Sequence, residues 1–362
     1  MNYPNLKIGI VAPLPPPYGG IANWTESIIE SLNERNIEYC ILNTAITKRQ
    51  TEGRSIFDRV VKSGFRMLKI RHQLKHLLVS KKINIVHIAT SGSLAAIRDI
   101  LLLKLCKKFQ IPCIYHLHFG TIPQSIHTNK ISWHLIKKAM EFADTILVLD
   151  HKTYEALHNA DYKLNVQVMP NYINTQNLPH AESFPQKQVV FLGWCIKTKG
   201  IEELFRAWNL LKNVDGWQLK IIGPYDKKYI KSILGELSTK DITIVGELKH
   251  EEAMRVLNES SVFVLPSYTE GFPMSVLEAM ACGKAIIATD VGAIKSMLQN
   301  ECGIVIEPQN VGSLANAIDT VIGDASLMNK LGENAKKRVF HYYSEDKVMN
   351  SYIQCWANVL DQ

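Results

Sequence analysis

The sequence predicts an α/β protein of two parallel-sheet domains, and three observations carry that expectation. The chain has 362 residues, more than one hydrophobic core usually organises. Short apolar runs of strand length alternate with stretches of helical character, the pattern of a parallel sheet with crossover helices. That alternation breaks once, at the polar, proline-containing stretch 177–186, and then restarts.

In chain order, the first half predicts strands at Lys7–Ala12, Tyr39–Asn43, Ile83–Ala89, Cys113–His118, Thr145–Leu149 and Val166–Met169. Helices are expected at Ile21–Asn33, Ser93–Phe109, Ser132–Ala143 and Lys152–Ala160. The second half predicts strands at Gln188–Leu192, Trp217–Ile222, Ile242–Val245, Ser261–Leu265, Ala285–Thr289 and Gly303–Ile306. Its helices are expected at Met274–Ala281, Val311–Gly323 and Ser344–Leu360.

A hydrophobic share of 46% with 21% charged residues is that of an ordinary globular protein. No segment offers the run of about 18 to 20 apolar residues that a membrane span needs. The first apolar run, Leu6–Ala12, is short and soon followed by prolines, so it reads as a buried strand and not as a signal peptide. Seven dispersed cysteines without metal-ligand spacing suggest reduced thiols and a cytoplasmic setting.

The net charge of +7 is local. Between Lys48 and Lys82, eleven Lys and Arg face only Glu52 and Asp58, a segment charge of +9 that leaves the rest near −2. Within it, Leu68, Ile70, Leu74, Leu77 and Leu78 give Arg66–Val79 an apolar stripe. The stretch 54–82 reads as a basic amphipathic helix contacting an anionic membrane or a lipid-linked acceptor, or as a helix packed on its own domain with a solvated face. No aromatic residues interleave these charges as a stacking platform, so no nucleic-acid partner is expected.

The densest chemical signal is Glu270-Gly-Phe-Pro-Met-Ser-Val-Leu-Glu278, between the apolar run Val262–Leu265 and the helix from Met274. Open α/β sheets bind ligands in the crevice at the carboxyl ends of their strands. The N–H groups at the start of the helix, around Phe272, Met274 and Ser275, favour an anion such as phosphate. Two carboxylates there suit hydroxyls instead, and a ligand with both phosphates and hydroxyls is a sugar nucleotide. In the first half, Gly19-Gly20 precedes a helix and suits close approach of an anion, though it is not the dinucleotide fingerprint of a nicotinamide enzyme. His116 and His118 share one face of a strand.

The Glu270-x7-Glu278 pair with its Gly-Phe-Pro turn and the following Ala-Met-Ala-Cys-Gly-Lys resembles the signature of retaining glycosyltransferases of family 4, which adopt the GT-B fold. The resemblance implies an N-terminal Rossmann-like acceptor-side domain at 1–178 and a C-terminal Rossmann-like nucleotide-sugar domain at 187–343. It also implies a last helix, 344–362, crossing back onto the first domain. It assigns catalysis to His118, Glu270 and Lys199. Donor diphosphate contacts fall to Gly19, Gly20, Lys197, Lys199, Phe272, Met274 and Ser275, and ribose or base contacts to Glu278, Gly223, Gly246 and Leu248. Trp194 stands where the family carries an arginine, which puts that arginine's role in doubt. Neither a metal nor any cofactor is expected, and there is no Asp-x-Asp motif; the implied donor is a nucleotide-diphosphate sugar, a UDP-sugar first, and the acceptor a glycan or polyprenyl-linked sugar. A sugar-nucleotide epimerase of the same architecture and a catalytically inactive sugar-nucleotide-binding subunit remain as alternatives.

Overall fold

The computed structural model describes residues 6–16, 19–45, 56–92, 95–128, 130–160, 163–175, 178, 186–212, 214–235 and 237–361, with 56–63 described by their backbone alone. It divides into two compact units, Met1–Asn171 with Val348–Gln362, and Tyr172–Lys347. Most of the polar stretch 177–186 lies outside the described residues. Ile173 belongs to the second unit because its backbone pairs with the segment before the last helix: its N–H donates to Tyr343 O at 3.0 Å and its carbonyl accepts from Glu345 N at 3.0 Å.

The first unit is a parallel sheet of β1 (Lys7–Ala12), β2 (Glu38–Asn43), β3 (Ile85–Thr90), β4 (Cys113–Leu117), β5 (Thr145–Val148) and β6 (Val166–Val168), in the order β2-β1-β3-β4-β5-β6. Its helices are α1 (Gly20–Glu34), α2 (Ile56–Val79), α3 (Ala95–Lys108), α4 (Ile122–Ser125), α5 (Ile131–Met140) and α6 (His151–Asn159). Strands β3, β4 and β5 are buried along their whole length. That is why they read as continuous apolar runs without an alternating face.

The second unit repeats this plan with β7 (Gln188–Leu192), β8 (Gln218–Ile222), β9 (Ile242–Gly246), β10 (Val262–Leu265), β11 (Ala285–Thr289) and β12 (Ile304–Ile306). The order is β12-β11-β10-β7-β8-β9. A single 3-10 turn, Lys197–Lys199, precedes α7 (Ile201–Leu210), followed by α8 (Lys227–Leu234), α9 (His250–Glu259), α10 (Met274–Ala281), α11 (Ile294–Met297), α12 (Val311–Gly323) and α13 (Ala325–Tyr342). Helices α7, α8, α9, α11 and α13 were not among the expected elements; α13 is the longest of them. Its N-terminus is fixed by Asp324, whose carboxylate accepts from Leu327 N at 3.0 Å.

The last helix, α14 (Glu345–Leu360), starts in the second unit and from Val348 onward belongs to the first. Val348, Met349, Tyr352, Ile353, Trp356 and Val359 are all buried, one apolar face at helical spacing. Burying that many large side chains stabilises the first unit by about 1.5–3 kcal/mol for each.

The basic stretch departs from its expected stripe. Ile70, Leu74 and Leu78 pack into the core of the first unit with Leu77 against them, so this apolar face covers its own domain. Leu68 does not share it and is 55% exposed, as is Phe65 at 71%. The reason is rotational: on a helix of 3.6 residues per turn, 68 lies about 160° around the axis from 70 and about 120° from 74.

Candidate functional site

The strand order of the second unit reverses between β7 and β10, neighbours in the sheet although each continues away from the other. Open α/β sheets bind ligands beyond the carboxyl ends of the strands at such a switch point. Of the loops leaving these two ends, one runs from Gly193 to Gly200 and the other from Pro266 to Pro273. Lys199 stands on the first and Glu270 on the second, and the fold brings them together: Lys199 Nζ donates to Glu270 Oε1 at 2.5 Å. Ser267 Oγ donates to the same oxygen at 2.7 Å. The lysine's charge is therefore already matched by a carboxylate that is only 10% exposed.

Backbone contacts hold both loops. Tyr268 N donates to Thr198 O at 2.9 Å. Gly200 adopts φ +70, and an added Cβ would lie 2.0 Å from the Pro266 carbonyl oxygen, so only glycine lets the loop after β7 close on the loop after β10. From the other side, Gly292 at φ +55 brings its backbone against Glu270 and Gly271, where a Cβ would meet their carbonyl oxygens at 2.3 and 2.4 Å. Ala293 N donates to Gly271 O at 2.8 Å, and Thr289 Oγ1 to Ser267 O at 2.6 Å. Glu270 is thus fixed from β10, β11 and the turn before α7.

The first turn of α7 adds two carboxylates, favoured there by the helix dipole. Glu203 accepts from Tyr268 OH at 2.6 Å and Glu202 from Tyr229 OH at 2.9 Å. Burial, followed by these carboxylates, raises the pKa of both phenols, which stay protonated donors.

Glu278 lies within α10 and is 6% exposed. His250, the first residue of α9, hydrogen-bonds to Glu278 Oε1 through Nε2 at 3.0 Å. Met274 and Ser275 open α10, where N–H groups lack intrahelical partners. The Phe272 ring itself is buried edge-on against Tyr343, with centroids 5.4 Å apart, so any contribution to an anion comes from its backbone. Gly223 follows β8 and donates to Gly246 O at 2.8 Å; Leu248 is half-buried just beyond. Lys197 is exposed.

In the first unit the order reverses between β1 and β3. The loop leaving β1 ends at Gly19 and Gly20, both exposed at the start of α1 with open space around them. Pro17 and Tyr18, from the same motif, lie outside the described residues. His118 follows β4, its N–H donating to Thr90 O at 2.9 Å. Its Nε2 lies 3.0 Å from His116 Nδ1, so the two histidines stand side by side. Among the described residues no group of three His, Cys, Asp or Glu is placed to hold a metal ion.

Sequence reasoning missed His250, Ser267 and His87. His250 and Ser267 offer no local signal. His87 does offer one, as a histidine inside the otherwise apolar run Ile85–Ala89 of β3.

Two Rossmann-like units, each with a reversal of strand order in its sheet, match the GT-B fold. The chain belongs to the GT-B glycosyltransferases: residues 18–177 match the model of Glycosyltransferase Family 4, and residues 175–338 that of Glycosyl transferases group 1. A 173-residue segment is 28% identical to the N,N'-diacetylbacillosaminyl-diphospho-undecaprenol alpha-1,3-N-acetylgalactosaminyltransferase of Campylobacter jejuni, covering 48% of this chain and 45% of that one. The chain matches about half the length of the first curated relatives it resembles. Among solved structures, sucrose-phosphate synthase from Thermosynechococcus elongatus superposes with a TM-score of 0.81 at 19% identity, covering 99% of this chain and 100% of that one. HepE of Anabaena in complex with UDP-glucose superposes at 0.75 with 14% identity, covering 99% and 100%. At these identities the likeness is one of fold.

Proposed function

We propose that this protein is a retaining glycosyltransferase that moves a sugar from a nucleotide-diphosphate sugar, a UDP-sugar first, to a glycan or polyprenyl-linked acceptor in surface polysaccharide assembly. The observation that carries the reading is the Lys199–Glu270 pair at the switch point of the second unit, beside the start of α10. The UDP-glucose of the HepE complex and the undecaprenol-linked substrate in the Campylobacter relative's name agree with the proposed donor and acceptor.

In this reading the ligand's diphosphate meets Lys199, Lys197, the backbone at Gly19 and Gly20, and the N–H groups of Phe272, Met274 and Ser275. Glu278 accepts from the ribose, its second partner His250 keeping the carboxylate oriented, while Gly223, Gly246 and Leu248 border the base. Glu270 and His118 hold the sugar. The acceptor hydroxyl approaches on the face from which the diphosphate departs. Its oxygen bonds to the anomeric carbon as the bond from that carbon to the phosphate oxygen breaks, and the leaving phosphate oxygen takes the hydroxyl proton. The protein's part is positioning and stabilisation of the charge that builds on the diphosphate, so no metal is required in this proposal.

A thermal-shift screen with UDP-, GDP- and ADP-sugars, repeated with EDTA, tests this. At a hundred times its dissociation constant the true donor should stabilise the fold by about 2.7 kcal/mol. The expected result is a shift with one nucleotide class that survives EDTA and is lost in Glu278→Ala. No shift with any nucleotide sugar would sink the donor site.

We also propose that α2 makes peripheral contact with an anionic membrane on the cytoplasmic side. Its outward side presents Phe65 and Leu68 among Lys69, Arg71 and Lys75, all exposed, and each cation near such a surface contributes about 1 kcal/mol. No helix among the described residues is long and apolar enough to cross a membrane. Cosedimentation with vesicles rich in anionic lipid should fall clearly in Phe65→Ser/Leu68→Ser. Unchanged binding by that variant would remove α2 from the contact.

A further inference from the structure

Three histidines of the first unit share one hydrogen-bonded chain with an indole of α14. Trp356 Nε1 lies 3.1 Å from His87 Nδ1, and His87 Nε2 lies 3.3 Å from His116 Nδ1. His118 Nε2 lies 3.0 Å from that same His116 Nδ1. An indole nitrogen only donates, so His87 Nδ1 has to accept. A neutral imidazole carries one N–H, so His87 bears its proton on Nε2 and donates it to His116 Nδ1. His116 Nδ1 therefore holds the ring's one in-plane lone pair, shared by His87 Nε2–H at 3.3 Å and by His118, which can pair with it only by donating from Nε2; the proton of His116 itself then sits on its buried Nε2. The last ring is left with its lone pair on Nδ1.

The cluster is built to keep that arrangement. Trp356, His87 and His116 are fully buried, and Trp24, also buried, packs its ring 4.8 Å from that of His118. Trp24 is itself pinned to α14 by its Nε1, which donates to Tyr352 OH at 3.0 Å. Only His118 keeps exposed surface, at the carboxyl end of β4. Burial favours the neutral form of every ring: it lowers His87 and His118 to about 3 and takes His116 well below its usual range. Loss of solvent is the leading cause in each case. A cation on any one ring would also repel its neighbours.

We propose that Trp356, His87 and His116 are positioning residues that fix His118 as its Nε2–H tautomer, so that His118 Nδ1 accepts a hydrogen bond from a hydroxyl of the bound ligand. The ligand's identity as a sugar rests on the transferase reading; the tautomer does not. The consequence is that His118 recognises by accepting. It would not serve as a cation for the diphosphate or as the proton donor to the leaving group.

The test is long-range 1H–15N correlation spectroscopy of the full chain labelled with 15N-histidine, at pH 7 without ligand. His118 is identified by the resonances that disappear in His118→Gln. The expected wild-type pattern is a neutral ring protonated on Nε2. A ring protonated on Nδ1, or an imidazolium, would overturn the proposal whatever the enzyme's activity. In Trp356→Phe the indole donor is removed, and a folded variant should show His118 gaining the Nδ1–H form. A folded Trp356→Phe with an unchanged His118 pattern would remove Trp356 from the relay. If the pattern holds but no nucleotide sugar binds, the transferase reading fails and the tautomer stands.

Discussion

Lys199→Ala is expected to lower kcat for sugar transfer by 10²- to 10³-fold, about 2.7–4 kcal/mol of transition-state stabilisation, the range measured when one preorganised charge-stabilising donor is removed. The lysine, on the loop after β7, reaches Glu270 on the loop after β10. Neutralising Glu270 as Glu270→Gln should cost a comparable factor. Because the two side chains form one unit, the double variant should lose far less than the product of the single losses. Single-turnover rates with saturating donor, measured for all four proteins, give the cycle. Fully additive losses would mean that the pair does not work as a unit. Activity unchanged in Lys199→Ala would take the lysine out of catalysis altogether. A conservative Lys199→Arg should restore only part of the rate, since a planar guanidinium does not reproduce the compact ammonium seated against Glu270 and Ser267.

Stability is expected to fall steeply as pH drops below about 6.5, through the histidine core of the first unit. His87 and His116 are fully buried, and burial lowers the pKa of each in the folded state. In the unfolded chain they titrate near the ordinary 6.5. The unfolded state therefore binds more protons in acid, so stability rises with pH across this window and is fully present above 6.5. Each of the two contributes about 1.4 kcal/mol per pH unit, or roughly 4 kcal/mol together between pH 6.5 and pH 5. Urea unfolding followed at pH 7.5, 6 and 5 measures the loss. In His116→Gln the share of the slope that His87 and His116 supply should halve, while that of the lowered but partly exposed His118 remains. A midpoint that stays flat from pH 7.5 to pH 5 would show that these rings are solvated and able to charge.

Much of the fold was legible from local pattern. The helix Met274–Ala281 lies at its expected bounds and the strand Val262–Leu265 starts one residue inside its own, because a strand buried on both faces is a continuous apolar run and Gly271 and Pro273 mark the turn between. The expected strands agree with the sheet to within a residue or two, since each parallel strand is bounded by residues that favour turns. Leu68 failed for a related reason: composition places it in an apolar stripe, while its angle around α2 turns it outward. Helix α13 escaped because its polar and apolar residues alternate without a strong local boundary beyond Asp324.

The sequence by itself determined the class of this protein: two parallel-sheet halves, a carboxylate on the loop after one strand, a second in the following helix, and a lysine-glycine turn. It could not determine which of these meet. Lys199 and Glu270 are 71 residues apart, joined because β7 pairs with β10 across a reversal of strand order. His250 reaches Glu278 because α9 begins beside α10, and Trp356 reaches His87 across 269 residues because α14 packs on the first unit. Local pattern specifies elements through short-range periodicity and turn chemistry. Pairing between elements is chosen by the burial of whole faces, and that choice exists only once the chain has folded.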